Sequence, residues 1–205
     1  MDLNIELALR KRLEALAVSL LTNHGEHQDA LSSWETRKNQ LLDGYLRGHT
    51  ATDALRVLNM HDEVEGRDHE HNLWRIDRRG LFGNPFPIGS LEPAVQSMGY
   101  PNGGGPRFFP ANRKMTRDHV ILKFEFLMLD RLLGRVPWGD GGLMSAQEMA
   151  QSSRTRLRKL KGGVLGCFCS PAPCHGHVYA RLLHFVDSVL EPQARPKPLV
   201  VGSRR

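Results

Sequence analysis

Three cysteines and two histidines fall within one short run, Gly166-Cys167-Phe168-Cys169-Ser170-Pro171-Ala172-Pro173-Cys174-His175-Gly176-His177. In an extended strand alternate side chains share a face, so Cys167 and Cys169 point one way and Phe168 the other. Ser170 followed by Pro171 and Pro173 fits a strand-to-helix turn, because proline is tolerated in a helix's first turn. Cys174 then falls in that first turn, where free N–H groups and the helix dipole favour a thiolate. His177 shares its helical face, and Arg181 follows one turn later. Three chemistries compete for the run. Cys174 could act as a nucleophile with His175 or His177 as general base, although no third group that would orient such a pair can be named. Cys167, Cys169, Cys174 and His175 or His177 could instead hold zinc. A C-x-C-x4-C-H spacing is not the usual paired C-x2-C knuckle, and two strand cysteines would have to reach one ion. Finally, Cys167 and Cys169 could be small buried hydrophobes. That last reading explains the Pro-Cys-His-Gly turn poorly, since a core needs no glycine-flanked Cys-His pair at a helix start.

A second constellation is Gly83-Asn84-Pro85-Phe86. The residue before proline is held extended, so the Asn84 amide is presented in a fixed direction from a tight turn. It could hydrogen-bond a base, ribose or phosphate, or equally cap its own loop, since asparagine is a standard turn residue. Arg78, Arg79 and Arg117 are the nearest cations, and converging on one pocket they would bind phosphate bidentately. His69, Glu70 and His71 could also ligate a metal, but they lie in the almost wholly polar run 61–72, and short solvated histidine runs are far commoner than sites.

The elements that must position these residues follow from periodicity. Leu3, Leu7, Leu13, Leu16, Leu20 and Leu21 recur at helical spacing, and a second helix is expected from about Ala30 to Leu46 with Trp34, Leu41, Leu42 and Tyr45 buried. Thr50 is a candidate N-cap for a short third helix through Ala54, Leu55 and Leu58. Three short helices could make a DNA-binding module, but the third offers only Arg56 where clustered Lys/Arg are needed. Leu73-Trp74-Arg75-Ile76 alternates like a strand, and residues 99–113 read as a Gly/Pro-rich loop. Thr116 opens an amphipathic helix through Val120, Ile121, Phe124, Leu127, Met128, Arg131 and Leu132, which Pro137 to Gly142 breaks. Val164 to Cys169 reads as a buried strand and Pro173 to Leu190 as a closing helix. Strand, helix, strand, helix argues a small α/β domain, three-layered or Rossmann-like, with a sheet at least partly parallel. The expected division is a helical extension over 1–60, a linker over 61–72, the α/β domain over 73–190 and a loose basic tail over 191–205.

Composition bounds the rest. The chain has 205 residues, 28 Lys/Arg against 22 Asp/Glu, and a net charge of +6, which permits an anionic partner without demanding one. Residues 1–60 carry seven Lys/Arg against eight Asp/Glu, while the last fifteen carry four against one. Half the excess thus sits in the tail. No apolar run approaches the roughly 20 residues that span a bilayer, and the N-terminus has no secretory pattern. A cytoplasmic protein is expected, and three clustered cysteines do not make a disulfide framework.

Taken together, Gly83-Asn84-Pro85-Phe86 after a short basic strand, Thr116-Arg117-Asp118 opening a helix, Leu160-Lys161-Gly162, and Leu165-Gly166-Cys167-Phe168-Cys169 with Pro173-Cys174-His175-Gly176 resemble a family found in phages and bacteria, domain of unknown function 4326. The resemblance covers about 73–187. That family usually has tryptophan where Phe168 stands and an acidic residue where His177 stands. It implies no established reaction. The expected function is a nucleotide- or nucleic-acid-directed protein, a transferase or glycosidase-like enzyme working through Cys174 with His175 or His177. Gly83, Asn84, Arg78, Arg79, Arg117 and Arg181 would hold the ligand. The alternatives are a zinc-stabilised binding module without catalysis, and a phage protein that docks on a host or virion partner through residues 1–60.

Overall fold

The computed structural model describes residues 3–22, 31–48, 55–60, 73–76, 81–86, 88–89, 114–138, 143–169 and 172–190. Its elements, in chain order, are α1 (Leu3–Thr22), α2 (Leu31–Leu46), β1 (Arg56–Asn59), β2 (Leu73–Arg75), α3 (Arg117–Leu132), α4 (Ala146–Arg158), β3 (Val164–Cys167) and α5 (His175–Leu190). The three strands form one sheet of order β1-β3-β2, parallel throughout. The chain is therefore a mixed α/β protein, as its alternation of elements predicts. β3 is the central strand. Val164, Leu165 and Gly166 pair with Leu73, Trp74 and Arg75 on one side, and Val164 to Cys167 pair with Arg56 to Asn59 on the other.

The strand β1 corrects the expected third helix. Leu55 and Leu58 are buried, but as part of an extended segment whose ladder runs on through the Met60 N–H to the Cys167 carbonyl at 3.2 Å. Two leucines three apart fit a helical stripe, and pairing to a distant strand overrode that local pattern. Thr50 lies outside the described residues. The first sixty residues thus contribute a strand to the sheet as well as two helices. The buried stripe of α1 is also rotated from the expected one. Leu9, Leu13, Leu16, Ala17 and Leu20 are buried, whereas Leu3 and Leu7 are exposed. A leucine-rich helix offers two overlapping stripes, and only its neighbours select between them. The expected tail and linker lie outside the described residues.

The helices pack on one another as well as on the sheet: α1 contacts α2, α3 and α5, and α3 contacts α4 and α5. Two buried carboxylates brace this packing. Glu125 of α3 accepts from the Tyr45 hydroxyl of α2 at 2.6 Å and from Arg181 of α5 at 2.7 Å. Asp130 accepts from Arg12 of α1 at 2.9 Å and from Arg135 at 3.1 Å. The Arg12 guanidinium also lies over the Phe126 ring at 4.7 Å. Each buried carboxylate meets two donors, the condition under which a buried charge is tolerated.

α3 and α4 begin with reciprocal caps. The Thr116 hydroxyl accepts the His119 N–H while His119 Nδ1 accepts the Thr116 N–H. Ser145 and Glu148 do the same for α4, a signature present in the sequence as Ser-x-x-Glu. α3 ends in a Schellman motif: Arg135 N–H to the Asp130 carbonyl at 2.8 Å and Gly134 N–H to the Arg131 carbonyl at 3.0 Å. Gly134 holds φ +73°, and a Cβ there would lie 1.9 Å from the Ala146 carbonyl oxygen. Gly134→Ala is therefore expected to cost more than about 2 kcal/mol, combining left-handed strain with a backbone clash. Gly48→Ala, at φ +78° in open space, should cost only about 1 kcal/mol. Equal losses in urea unfolding of the two variants would contradict this account.

Candidate functional site

β3 ends at Cys167, and α5 starts eight residues later at His175. The helix can return tightly over the strand ends because its second residue is glycine. A Cβ on Gly176 would sit 3.0 Å from both Ile76 Cδ1 and Val57 Cγ1, so glycine alone lets this turn of α5 settle on β1 and the end of β2. That approach brings Cys167, Cys174 and His175 together. Their ligand-capable atoms all lie within 4.8 Å of one another, and all three residues are buried. Among the described residues no other His, Cys, Asp or Glu group of this kind occurs.

Cys174 is the residue before α5 and acts as its cap. Its sulfur accepts the Gly176 N–H at 3.3 Å, and its own N–H donates to His177 Nδ1 at 3.2 Å. The exchange resembles the reciprocal caps of α3 and α4, with cysteine and histidine in the two roles. His177 Nδ1 is thus occupied in holding the turn. His175 Nε2 meets the carbonyl of Ile76. A carbonyl only accepts, so Nε2 carries a hydrogen in this contact. The imidazole is wedged edge-to-face on Phe124 at 5.3 Å and against Tyr179 at 6.4 Å.

The two buried sulfurs differ in acidity. Cys174 is lowered below its ordinary range, first by the hydrogen bond from the Cys167 thiol and then by the Gly176 and His177 N–H groups, against the opposing effect of burial. Cys167 is pushed up to about 12, because it donates to Cys174 and is itself buried. Within the pair, proton sharing thus favours the proton on Cys167 and the charge on Cys174.

The remaining residues singled out from the sequence distribute unevenly. Cys169 does not continue the strand. It lies in the turn after β3, half-buried, where its N–H donates to Cys167 Sγ at 3.4 Å. The strand-face argument that paired Cys167 with Cys169 fails because the strand stops at Cys167. Cys169 is nonetheless close enough for its charge to act on Cys174. Arg117, the first residue of α3, reaches the Cys169 carbonyl at 3.5 Å, so a second helix N-terminus meets the same edge. Asn84 is buried, and its Oδ1 accepts the Phe86 N–H at 2.9 Å. Its side-chain oxygen thus closes the Gly83–Phe86 turn. That turn is pinned from outside by the Tyr179 hydroxyl on the Phe82 carbonyl at 3.0 Å and the Trp138 Nε1–H on the Leu81 carbonyl at 3.2 Å. Arg181 lies about two turns along α5 from Cys174, with its guanidinium on Glu125. Burial opposes its charge, but Glu125 and Tyr45 more than offset that and raise its pKa. It borders a cavity of about 140 Å³ between α2 and α5 that Gln40, Tyr45 and His184 also line. Arg78, Arg79, His69 and His71 lie outside the described residues.

Sequence reasoning did not find Ile76, Phe124 and Tyr179 as the seat of His175. Tyr179 carries a signal, four residues after His175 on one helix face. The Ile76 carbonyl carries none, because any residue would offer it.

The sign of the sulfur shifts gives a pH dependence. Below the ordinary thiol value of 9 the unfolded chain holds a proton that folded Cys174 has already lost, so stability rises with pH. Between 9 and about 12 folded Cys167 keeps a proton the unfolded chain has lost, so stability falls. For chelator-treated protein, this pair should place a stability maximum near pH 9 in urea unfolding. Cys167→Ala, which removes the leading cause of the Cys174 shift, should move thiolate ultraviolet absorbance of Cys174 to higher pH. An unchanged titration would refute the shared proton.

Neither the curated proteins nor the solved structures contain a match to this chain. A family model does match, over residues 60–185, which takes in β2, α3, α4, β3, the cysteine–histidine cluster and the first two-thirds of α5. The chain belongs to the family described as domain of unknown function (DUF4326).

Proposed function

We propose that the protein is a nucleotide- or nucleic-acid-directed α/β protein, a transferase or glycosidase-like enzyme that works through the Cys174–His175 centre at the carboxyl edge of its sheet. The observation that carries this reading is the meeting of two helix N-termini at the end of the central parallel strand. Cys174 caps α5 there, and Arg117, at the start of α3, reaches the turn after β3. In open parallel sheets ligands bind beyond the carboxyl ends of the strands. Helix N-termini favour anions, because their first N–H groups lack partners and the dipole is positive. A phosphate-bearing ligand fits that edge better than a neutral one, and Arg117 supplies a bidentate donor beside it. The all-parallel ladder also supports reading the domain as Rossmann-like.

The same reading changes the roles given to individual residues. Arg181, paired with Glu125, supports the helix packing. Asn84 Oδ1, engaged with the Phe86 N–H, shapes the turn, which leaves its amide nitrogen as the group for a ligand. His177, whose Nδ1 holds the Cys174 N–H, is a positioning residue. No helix among the described residues is long and apolar enough to cross a membrane; in this reading the protein is cytoplasmic and of phage or bacterial origin.

Calorimetric titration with nucleoside mono- and diphosphates and short single-stranded oligonucleotides tests the proposal. At least one member of the set should bind, and Arg117→Ala should weaken it about tenfold, the value of one charge-assisted contact. Arg181→Lys, away from the edge, should leave affinity within about twofold. Absence of binding across the set, or equal loss in both variants, would overturn it.

A further inference from the structure

We propose that Cys167, Cys174 and His175 form a zinc site, the three of them being the ligands that the described residues supply. This inference rests on the same cluster as the function proposed above and names its resident ion. Three independent features point to it.

The first is placement. A strand end, a helix cap and the first residue of that helix bring two sulfurs and one imidazole within 4.8 Å of one another. A tetrahedral ion with Zn–S near 2.3 Å and Zn–N near 2.0–2.1 Å sets its ligand atoms about 3.5–3.8 Å apart. The ligands need close by only about an ångström. A disulfide would use the two sulfurs but give the imidazole no part.

The second is the setting of His175. Metal-bound histidine almost always gives its other ring N–H to a carbonyl or carboxylate, which fixes the tautomer and aims the ring. His175 meets the Ile76 carbonyl through Nε2, which leaves Nδ1 as the ligand atom. Phe124 and Tyr179 hold the ring in that pose. The third is the setting of the sulfurs. Each accepts a backbone N–H from the residue two positions on, Cys167 from Cys169 at 3.4 Å and Cys174 from Gly176 at 3.3 Å. These bonds stabilise thiolate charge, the form in which cysteine binds a metal.

The softness of the donors selects the ion. Two thiolates and one imidazole suit zinc, whereas magnesium and calcium take oxygen ligands. Cys169 is excluded from the set by position, since its sulfur does not fall within the same 4.8 Å group. Among the described residues the cluster has three protein ligands, the number found in zinc sites that polarise a substrate or activate a water, whereas structural sites close all four positions. With zinc bound, both cysteines are ligands, and the proton that Cys167 holds in the free pair leaves on binding.

Cobalt titration of the chelator-treated full chain tests the assignment without any variant. One cobalt per chain should bind, with intense sulfur-to-metal charge-transfer absorption and tetrahedral visible bands, and one equivalent of zinc should erase both. Cys169→Ser should leave this spectrum intact, whereas Cys174→Ser should weaken the charge-transfer band by about half or lose the ion. No binding at equimolar metal, an octahedral spectrum without thiolate absorption, or loss of the bands in Cys169→Ser would overturn the proposal. The nucleotide titrations above, repeated on metal-free and zinc-loaded protein, separate it from the proposed function. Nucleotide binding without any metal site refutes the zinc assignment alone, and a zinc site without nucleotide binding refutes the functional reading alone.

Discussion

The seating of the first turn of α5 on the sheet governs the rest of the structure. At Gly176 the helix backbone approaches Val57 of β1 and Ile76 beyond β2 so closely that even a methyl group would crowd both. This one contact fixes how far Cys174 and His175 can lie from the end of β3. Moving the helix outward by the width of a side chain would part the sulfurs and free His175 from the Ile76 carbonyl. The glycine is a packing requirement first, and the chemistry of the edge follows from it.

Burying two thiols and an imidazole at one point requires compensation, and the surroundings supply it in kind. Each sulfur has a backbone N–H, each thiol has the other, and His175 has a carbonyl and two aromatic edges. The aromatic set extends outward: Tyr179 also packs on Phe82 and Trp138, and its hydroxyl and the Trp138 indole hold the carbonyls of Phe82 and Leu81. The Gly83–Phe86 turn and the cysteine cluster are thereby tied to one face of α5. Further along the same helix, Arg181 locks Glu125 and Tyr45. One helix thus carries the site at its N-terminus and the helix-packing brace near its middle.

The family match begins at residue 60, just after β1. Yet β1 pairs along the full length of β3, and α1 and α2 pack on α5. The matched region is therefore completed by what precedes it, because β3 without β1 would expose one row of unpaired backbone groups. Those N-terminal elements brace the helix whose other end bears the candidate centre.

Much of the site was legible because it rests on local rules. Prolines flanking a turn, a cysteine at a helix start and a capping threonine at 116 act through their immediate neighbours, so the helix boundaries of α3 and α5 follow from short stretches. Strand β3 follows from its apolar run for the same reason. The rest depended on distant partners. β1 looked helical until its pairing with β3 is seen, and α4 was not read from periodicity although Ser145 and Glu148 mark its start. Arg181 looked like a ligand residue because its spacing from Cys174 is helical, but Glu125, 56 positions away in sequence, claims it. Which cysteine joins Cys174 likewise depended on where β3 stops: alternation along a strand favoured Cys169 as much as Cys167, and the turn after the strand separates them. By itself the sequence determined the α/β class and the cysteine and histidine at the start of the last helix, since those rest on contacts between near neighbours. Only the tertiary structure decided which groups meet there, because burial and pairing across the chain set the distances on which any chemistry depends.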